Sequence, residues 1–203
     1  MRIPSNSCAP DADQYIKREV QRQSILELYA TRGFGQVSMR ELASHLRVTP
    51  GAIYHHYPSK QHLLFDFIEE LYEDLTSRLS QPEPIPADPI DFIVSAHLDL
   101  YVMRPFHFKI ALRDAQLLEQ EHRDDLQRLS AQYYDSVCGI LGLKNAEQQA
   151  GSNIIASAII QVLISAPEWI NHELTAVKTR RELLSCMLNG AIGRLLKFHN
   201  RRH

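Results

Sequence analysis

Apolar side chains recur along this chain at intervals of three and four residues almost from end to end, the signature of helices that bury one face. Between Tyr15 and Thr31 the positions Ile16, Val20, Ile25, Leu28 and Tyr29 keep that rhythm, with Lys, Arg, Gln and Glu between them. Gly33 follows, where a helix can leave through a left-handed residue. Ser38, with Glu41 three residues on, forms a capping box and opens a short helix over about 39–46. Thr49-Pro50 sets a capping hydroxyl before a proline whose missing N–H costs nothing at the first helical position, so a second short helix runs to about Tyr57. Pro58 ends it, and Ser59 caps a longer helix reaching Leu79. Two short helices about three residues apart form a helix-turn-helix. The stretch from Ser80 to Ile90, with Pro82, Pro84, Pro86 and Pro89, is the clearest boundary in the chain. Behind it, helices are expected over about 89–103, 105–117, 121–141, 146–166 and 178–199, punctuated by Pro105, Gly142 and Pro167. The pattern predicts an all-α chain of about nine helices: a flexible arm over 1–14, a helix-turn-helix domain with its connecting helix over 15–79, and a helical rear domain over 80–203.

Composition narrows the function. A chain of 203 residues, 44% hydrophobic and 23% charged, is long enough and apolar enough for a real core. Cys8, Cys138 and Cys186 are far apart with no CxxC, which argues against a disulfide framework or a structural zinc site and suits a reducing, cytoplasmic compartment. The most apolar stretch, Ile154 to Pro167, falls short of the roughly 20 apolar residues a spanning helix needs. Met1 to Asp13 lacks the apolar core of a secretory signal. No GxGxxG, Walker, HExxH or GxSxG pattern occurs, so no catalytic residue, cofactor or metal site is expected. His55 and His56 are adjacent and cannot share a helix face; His199 and His203 lie four apart, but at the terminus and without a carboxylate cluster. The net charge is -2, yet residues 1–60 hold eight basic and five acidic side chains and the remainder fourteen and nineteen. A basic front on an acidic body is the asymmetry expected if only the front meets phosphate.

The segment from Val37 to Leu64 carries the specific signal. Leu42, Ala43 and Leu46 form the inner face of the first short helix, Val48 fills the turn, and Ile53 and Tyr57 face inward from the second. Thr49, Pro50, Gly51, Ala52, Tyr54 and His55 are left at the second helix's N-terminus and outer surface. This segment, and above all the string Tyr-His-His-Tyr-Pro-Ser-Lys at 54–60, closely resembles the DNA-binding domain of the TetR/AcrR family of bacterial transcriptional regulators, over about Tyr15 to Ile68. It departs at Arg47, where Gly is usual, which predicts an altered turn. It departs again at His62, which replaces the usual acidic residue after Ser59 and predicts a weaker cap. The resemblance implies that the second short helix enters the major groove, with Arg40, Thr49, Pro50, Gly51 and Ala52 at base edges and Ser38, Tyr54, His55 and Lys60 on phosphates. The chemistry agrees: Arg bonds guanine in bidentate fashion, Gly and Ala allow backbone approach and thymine-methyl contact, and Tyr, His and Lys are phosphate donors that fix register. Read by itself, Tyr54 is equally a core tyrosine, Lys60 a solvated lysine and Arg40 the partner of Glu41.

The same resemblance implies that the rear domain dimerises and binds a small effector. Gly151 to Ile164 and Leu183 to Leu196 are too apolar for one-sided burial, and the family pattern pairs such helices with their two-fold mates, with Ala158, Val162, Met187, Gly190 and Gly193 at the interface. The alternative is an internal core. A pocket among the helices from Pro89 to Ile164 would be lined by Phe92, Ala96, Leu100, Tyr101, Phe106, Phe108, Leu112, Tyr133, Tyr134 and Val137, each of which also reads as plain core. The stretch Ala111–Leu126, with Tyr133-Tyr134 and Glu168-Trp169, more loosely resembles family members that respond to acyl-CoA thioesters. That implies Arg113 and Arg123 on CoA phosphates, although Asp114 or Glu119 can equally partner Arg113. The reading is a homodimeric, ligand-responsive repressor on a palindromic double-stranded DNA operator, released by a small hydrophobic or acyl-CoA-like effector. An activator or partner-controlled regulator, and a helical enzyme or metal-binding module, stay open as alternatives.

Overall fold

The computed structural model describes residues 10–80, 86–142, 149–170 and 177–200. These form α1 (Pro10–Arg32), α2 (Met39–Leu46), α3 (Pro50–His56), α4 (Lys60–Leu79), α5 (Pro89–Met103), α6 (Pro105–Asp114), α7 (Gln120–Ile140), α8 (Gln149–Ile170) and α9 (Val177–Asn200), with no strand among the described residues. The all-helical fold predicted from periodicity is therefore the fold observed.

Several boundaries differ from the sequence reading for identifiable reasons. Helix α1 starts at Pro10, so Pro10–Gln14, read as part of an arm, are helical; a proline at the first position is pre-set for a helix. Residues 1–9 lie outside the described residues. The Gly-rich turn holds a 3-10 turn over Phe34–Gln36, entered through Gly33 at φ 94°. Helix α6 stops at Asp114 and a second 3-10 turn covers Ala115–Leu117. Helix α8 runs through Pro167 to Ile170, since a proline in the last turn forfeits only one hydrogen bond before the helix ends.

Caps set the helix-turn-helix. Ser38 accepts from the Glu41 N–H while the Glu41 carboxylate accepts from the Ser38 N–H, closing a full capping box. The Ser38 N–H and Ser38 hydroxyl beside the carboxylate, with Arg32, hold the Glu41 carboxyl below the usual range. Thr49 caps α3 through the Ala52 N–H, with Pro50 at the first helical position. The Ser59 cap, expected to be weak, is formed: its hydroxyl accepts from the His62 N–H at 3.1 Å, and the His62 ring nitrogen Nδ1 lies 3.3 Å from the same oxygen, where an acidic side chain was missing.

Two cores result. The front core joins Ile25, Leu26 and Tyr29 of α1, Leu42 and Ala43 of α2, Ile53 of α3 and Leu63, Leu64, Phe67 and Ile68 of α4. The rear core joins Leu71, Leu75 and Leu79 with Ile93, Val94, Phe108, Tyr133, Val137, Ile159, Leu163, Leu184 and Leu188. Helix α4 thus gives its first half to one core and its second half to the other. Helix α6 is a second bridge, because Ile110 and the following Leu118 are buried in the front core while Phe108 is buried in the rear one.

The rear core contains one polar pair that periodicity does not announce. The His97 Nδ1–H donates to the Ile93 carbonyl at 3.0 Å, leaving Nε2 to accept from the Tyr133 hydroxyl. Burial pushes the His97 imidazole down to about 4, against a weaker upward pull from the Ile93 carbonyl. The unfolded chain therefore takes up a proton near pH 6.5 that the folded chain refuses, so stability is full above that value and declines as pH falls toward 4. Between about pH 7.5 and pH 5 the loss amounts to ~2 kcal/mol. Urea unfolding at both values measures it: His97→Gln, with no proton to gain, is expected to lack this part of the decline, and an equal decline in both proteins assigns it to other groups.

Candidate nucleic-acid interface and its link to the rear domain

The residues expected at DNA lie on α2, the turn, α3 and the start of α4, and most of them face solvent. Ser38, Arg40, Thr49, Pro50, Gly51, Ala52 and His55 are exposed, and Tyr54 is 51% exposed, so Tyr54 is not a core residue. No atom lies within 4 Å of where a Cβ on Gly51 would stand, which leaves the outer face of α3 open to close approach. Arg40 is not the partner of Glu41: that carboxylate is taken by Ser38 and by Arg32 at 3.1 Å, and among the described residues no hydrogen bond or ion pair holds the Arg40 guanidinium. Inward, Ile53 is buried and Leu46, Val48 and Tyr57 pack on the front core, holding α3 against α2.

Lys60 is placed differently from the other candidates. It is half-buried, with its ammonium 4.0 Å from the centre of the Phe34 ring. Burial moves its pKa down, opposed by the charges of Glu41 and Asp114. Its cation is shared with an aromatic face rather than left wholly to solvent.

Arg113 and Arg123, expected on CoA phosphates, both bond groups within the protein. Arg113 reaches from α6 to the C-terminal end of α1, donating to the Tyr29 carbonyl at 2.6 Å and the Ala30 carbonyl at 3.1 Å. Its other face is clamped by Asp114, at 3.0 Å from Nε and 2.7 Å from Nη2. Asp114 is 3% exposed and also accepts from the Phe34 N–H at 3.4 Å. The physical reason is the end of α1: its last carbonyls carry partial negative charge, and the guanidinium adds a second bond to the Tyr29 carbonyl, already taken by the Gly33 N–H, and one to the Ala30 carbonyl. Arg123 folds back on the start of α7, donating to the Leu118 carbonyl and to Gln120.

A second seam between the domains escaped the sequence reading. Arg22 of α1 pairs with Glu70 of α4 at 2.8 Å, His107 of α6 bonds Glu70 at 3.0 Å, and Arg104 pairs with Asp74 at 2.6 Å. Burial alone raises the Glu70 carboxyl, but the His107 bond and the charges of Arg22 and Arg104 prevail and hold it below its ordinary value.

Of the expected pocket lining, Leu100, Phe108, Tyr133 and Val137 are buried in the rear core, Phe92, Ala96 and Tyr101 pack on its edge, and Leu112 and Tyr134 are half-buried. Phe106 instead lines a cleft of about 220 Å³ between α1 and the α5–α6 corner, with Leu26 and Met103. That cleft is below the roughly 300 Å³ of a typical small-molecule site. On the rear surface, Ala158 and Gly190 are exposed and Met187 is 46% exposed, whereas Val162 is partly buried against its own core. Gly193 lies on α9 beyond the residues whose surroundings are described. Among the described residues, no group of three His, Cys, Asp or Glu is placed to hold a metal, and no helix is long and apolar enough to cross a membrane.

Comparison with known proteins accords with this layout. Residues 23–67 match the family of bacterial regulatory proteins designated tetR. Over 57 residues the chain is 30% identical to the uncharacterized HTH-type transcriptional regulator YuxN of Bacillus subtilis, a stretch covering 28% of this chain and 20% of that protein. The fold as a whole is similar to the ketosteroid transcriptional regulator KstR2 of Mycobacterium tuberculosis, at TM-score 0.70 and 18% identity, covering 86% of this chain and 94% of that one. It is similar also to AibR, solved in complex with isovaleryl coenzyme A and operator DNA, at TM-score 0.67 and 19% identity over 85% of this chain and 96% of that one. The TetR-family regulator PfmR of Thermus thermophilus stands at TM-score 0.67 and 18% identity, over 83% and 94%. The chain thus carries a front domain that matches the tetR family of bacterial regulatory proteins over residues 23–67, within a fold similar to those of TetR-family regulators.

Proposed function

We propose that the chain is a homodimeric transcriptional repressor that binds a palindromic operator through α2 and α3 and is released by a small hydrophobic effector. The observation that carries the DNA part is the outer face of α3 together with Arg40: open space above Gly51, exposed Ala52 and Tyr54, and a guanidinium with no partner among the described residues. Such a surface suits close backbone approach to base edges, with one bidentate donor for guanine. Arg40→Ala is expected to relax sequence preference at one operator position, at a loss of roughly 1–3 kcal/mol. Tyr54→Phe, which removes a phosphate donor, is expected to weaken all duplexes about equally. Titrations against single-base operator variants separate the two, and a uniform loss for Arg40→Ala makes Arg40 a phosphate ligand instead.

The dimer reading rests on α8 and α9. Each buries one face in the rear core, and α9 still exposes Leu183 and Met187, four residues apart, with Gly190 one turn further on. A partner covering that face would set the distance between two copies of α3, which must match half-sites about 34–36 Å apart or a multiple of that spacing.

For the effector, the favoured class is an acyl-CoA thioester. Two things support it: the looser sequence resemblance, and the similarity to AibR, whose structure holds isovaleryl coenzyme A. Acyl carbons suit the apolar rear helices. A ligand that parts α5, α6 and α7 would move α6, whose Arg113 grips α1. Release then requires a ligand affinity several kcal/mol better for the non-binding state. A competition assay over acyl-CoAs of several chain lengths and ring types tests this. If none releases DNA or raises the melting temperature, the thioester fails and another hydrophobic metabolite or drug takes its place.

A further inference from the structure

The turn of the helix-turn-helix carries a residue in the wrong conformation for its type. Arg47 sits at φ 55°, ψ 41°, and is the one non-glycine residue with positive φ among the described residues. The left-handed region crowds any Cβ against the following carbonyl and is adopted freely by glycine alone. The backbone there does nothing that glycine would not do: the Arg47 N–H closes the end of α2 on the Ala43 and Ser44 carbonyls. The backbone bonds therefore do not require an arginine at this position. Among the described residues the Arg47 side chain also holds nothing, for it is exposed and its guanidinium has no hydrogen bond or ion pair there.

Its position supplies the partner. Arg40, Ser44 and Arg47 follow one another at four and three residues, and all three are exposed, while Leu42 and Ala43 between them, and Met39 just before, are buried. Arg47 is also two residues from Thr49, the cap of α3, so their Cα atoms are at most about 7 Å apart. Whatever lies against the N-terminal end of α3 lies within reach of Arg47. From Ser38 to Lys60 the acidic side chains are limited to Glu41, which is already bonded, so no carboxylate within that segment is left for the cation.

We propose that Arg47 is a DNA contact, its guanidinium bonding a backbone phosphate beside the groove that α3 enters. This rests on the DNA-binding reading above and adds a residue to it. A planar, permanently charged fork is suited to a phosphate oxygen pair. Phosphate contact adds affinity and register but no base preference.

The test uses the full chain and the duplex that the wild-type protein itself selects from a random library. Arg47→Gly is expected to raise the melting temperature by about 3 °C, through relief of the left-handed strain. It is expected at the same time to lose roughly tenfold in affinity at low salt. The salt slope is expected to fall by about 0.9 for each protomer, equally across duplex sequences. Arg47→Ala keeps the strain and removes the charge, so it is expected to lose the same affinity with no gain in melting temperature. Arg47→Lys is expected to retain the salt slope. Unchanged affinity and slope in both Arg47→Gly and Arg47→Ala overturn the contact. A loss in Arg47→Gly alone also overturns it, by assigning the effect to turn conformation. A loss confined to particular sequences makes Arg47 a base reader rather than a phosphate ligand. If the wild-type protein selects no duplex, it is the DNA-binding reading that fails.

Discussion

Gly190→Glu is expected to yield a folded, helical monomer that no longer shifts its operator. The position is exposed, and among the described residues nothing outside its own helix backbone lies within 4 Å of a Cβ there, so a side chain can start from it without a clash inside one protomer. Against a second copy the same carboxylate would be driven into the seam beside Leu183 and Met187, and burying it unpaired is strongly unfavourable. A monomer holds one half-site, and loss of the second is worth roughly a hundredfold or more in operator affinity. Ala158→Glu on α8 is the companion variant. Sedimentation reads the assembly and circular dichroism the helix content. An intact dimer in both variants moves the interface elsewhere.

The second large effect concerns the grip of α6 on α1. Asp114→Ala removes a buried carboxylate that receives two bonds from Arg113 and one from the Phe34 amide. The expected loss of unfolding free energy is about 2–3 kcal/mol, because the Phe34 N–H loses its acceptor and the guanidinium its counter-charge. Arg113→Ala removes the bonds to the Tyr29 and Ala30 carbonyls as well, but the side chain is 35% exposed, so water takes up part of the loss and the stability change is expected to be smaller. Its informative readout is functional. With the tie between the domains cut, operator affinity without effector is expected to stay near wild type while the release by effector weakens. Full release by effector in Arg113→Ala would sink the idea that this residue couples the two domains.

The helix-turn-helix was legible in the sequence because its determinants are local. Ser38 and Glu41, Thr49 and Pro50, and Ser59 each act within three residues, and each is found at the helix start it marks. The inward faces of the rear helices were equally readable as a period. Arg113 was not, since its partners Tyr29 and Ala30 lie more than eighty residues earlier in the chain and no spacing rule connects a basic residue to the carbonyls of a distant helix end. The sequence marked Arg113 as a charge in need of a partner and offered Asp114 among the choices; the structure shows Asp114 and the α1 terminus serving together. His97 was missed for a different reason. It occupies an inward position between Val94 and Leu98 on the buried side of α5, where a lone histidine reads as one more core residue until Tyr133 is seen beside it. Arg47 stood out as a substitution in the turn, but its left-handed backbone and its freedom from any partner needed the structure.

Whether the front domain reads DNA as half of a symmetric pair is measured in one experiment, selection of duplexes from a random library by the whole chain. The expected result is a palindromic motif whose half-site centres are one helical turn, about 34–36 Å, or a multiple of it apart, with affinity falling steeply as salt rises. Enrichment of no motif, or of a single unpaired half-site bound equally well by Gly190→Glu, would contradict it.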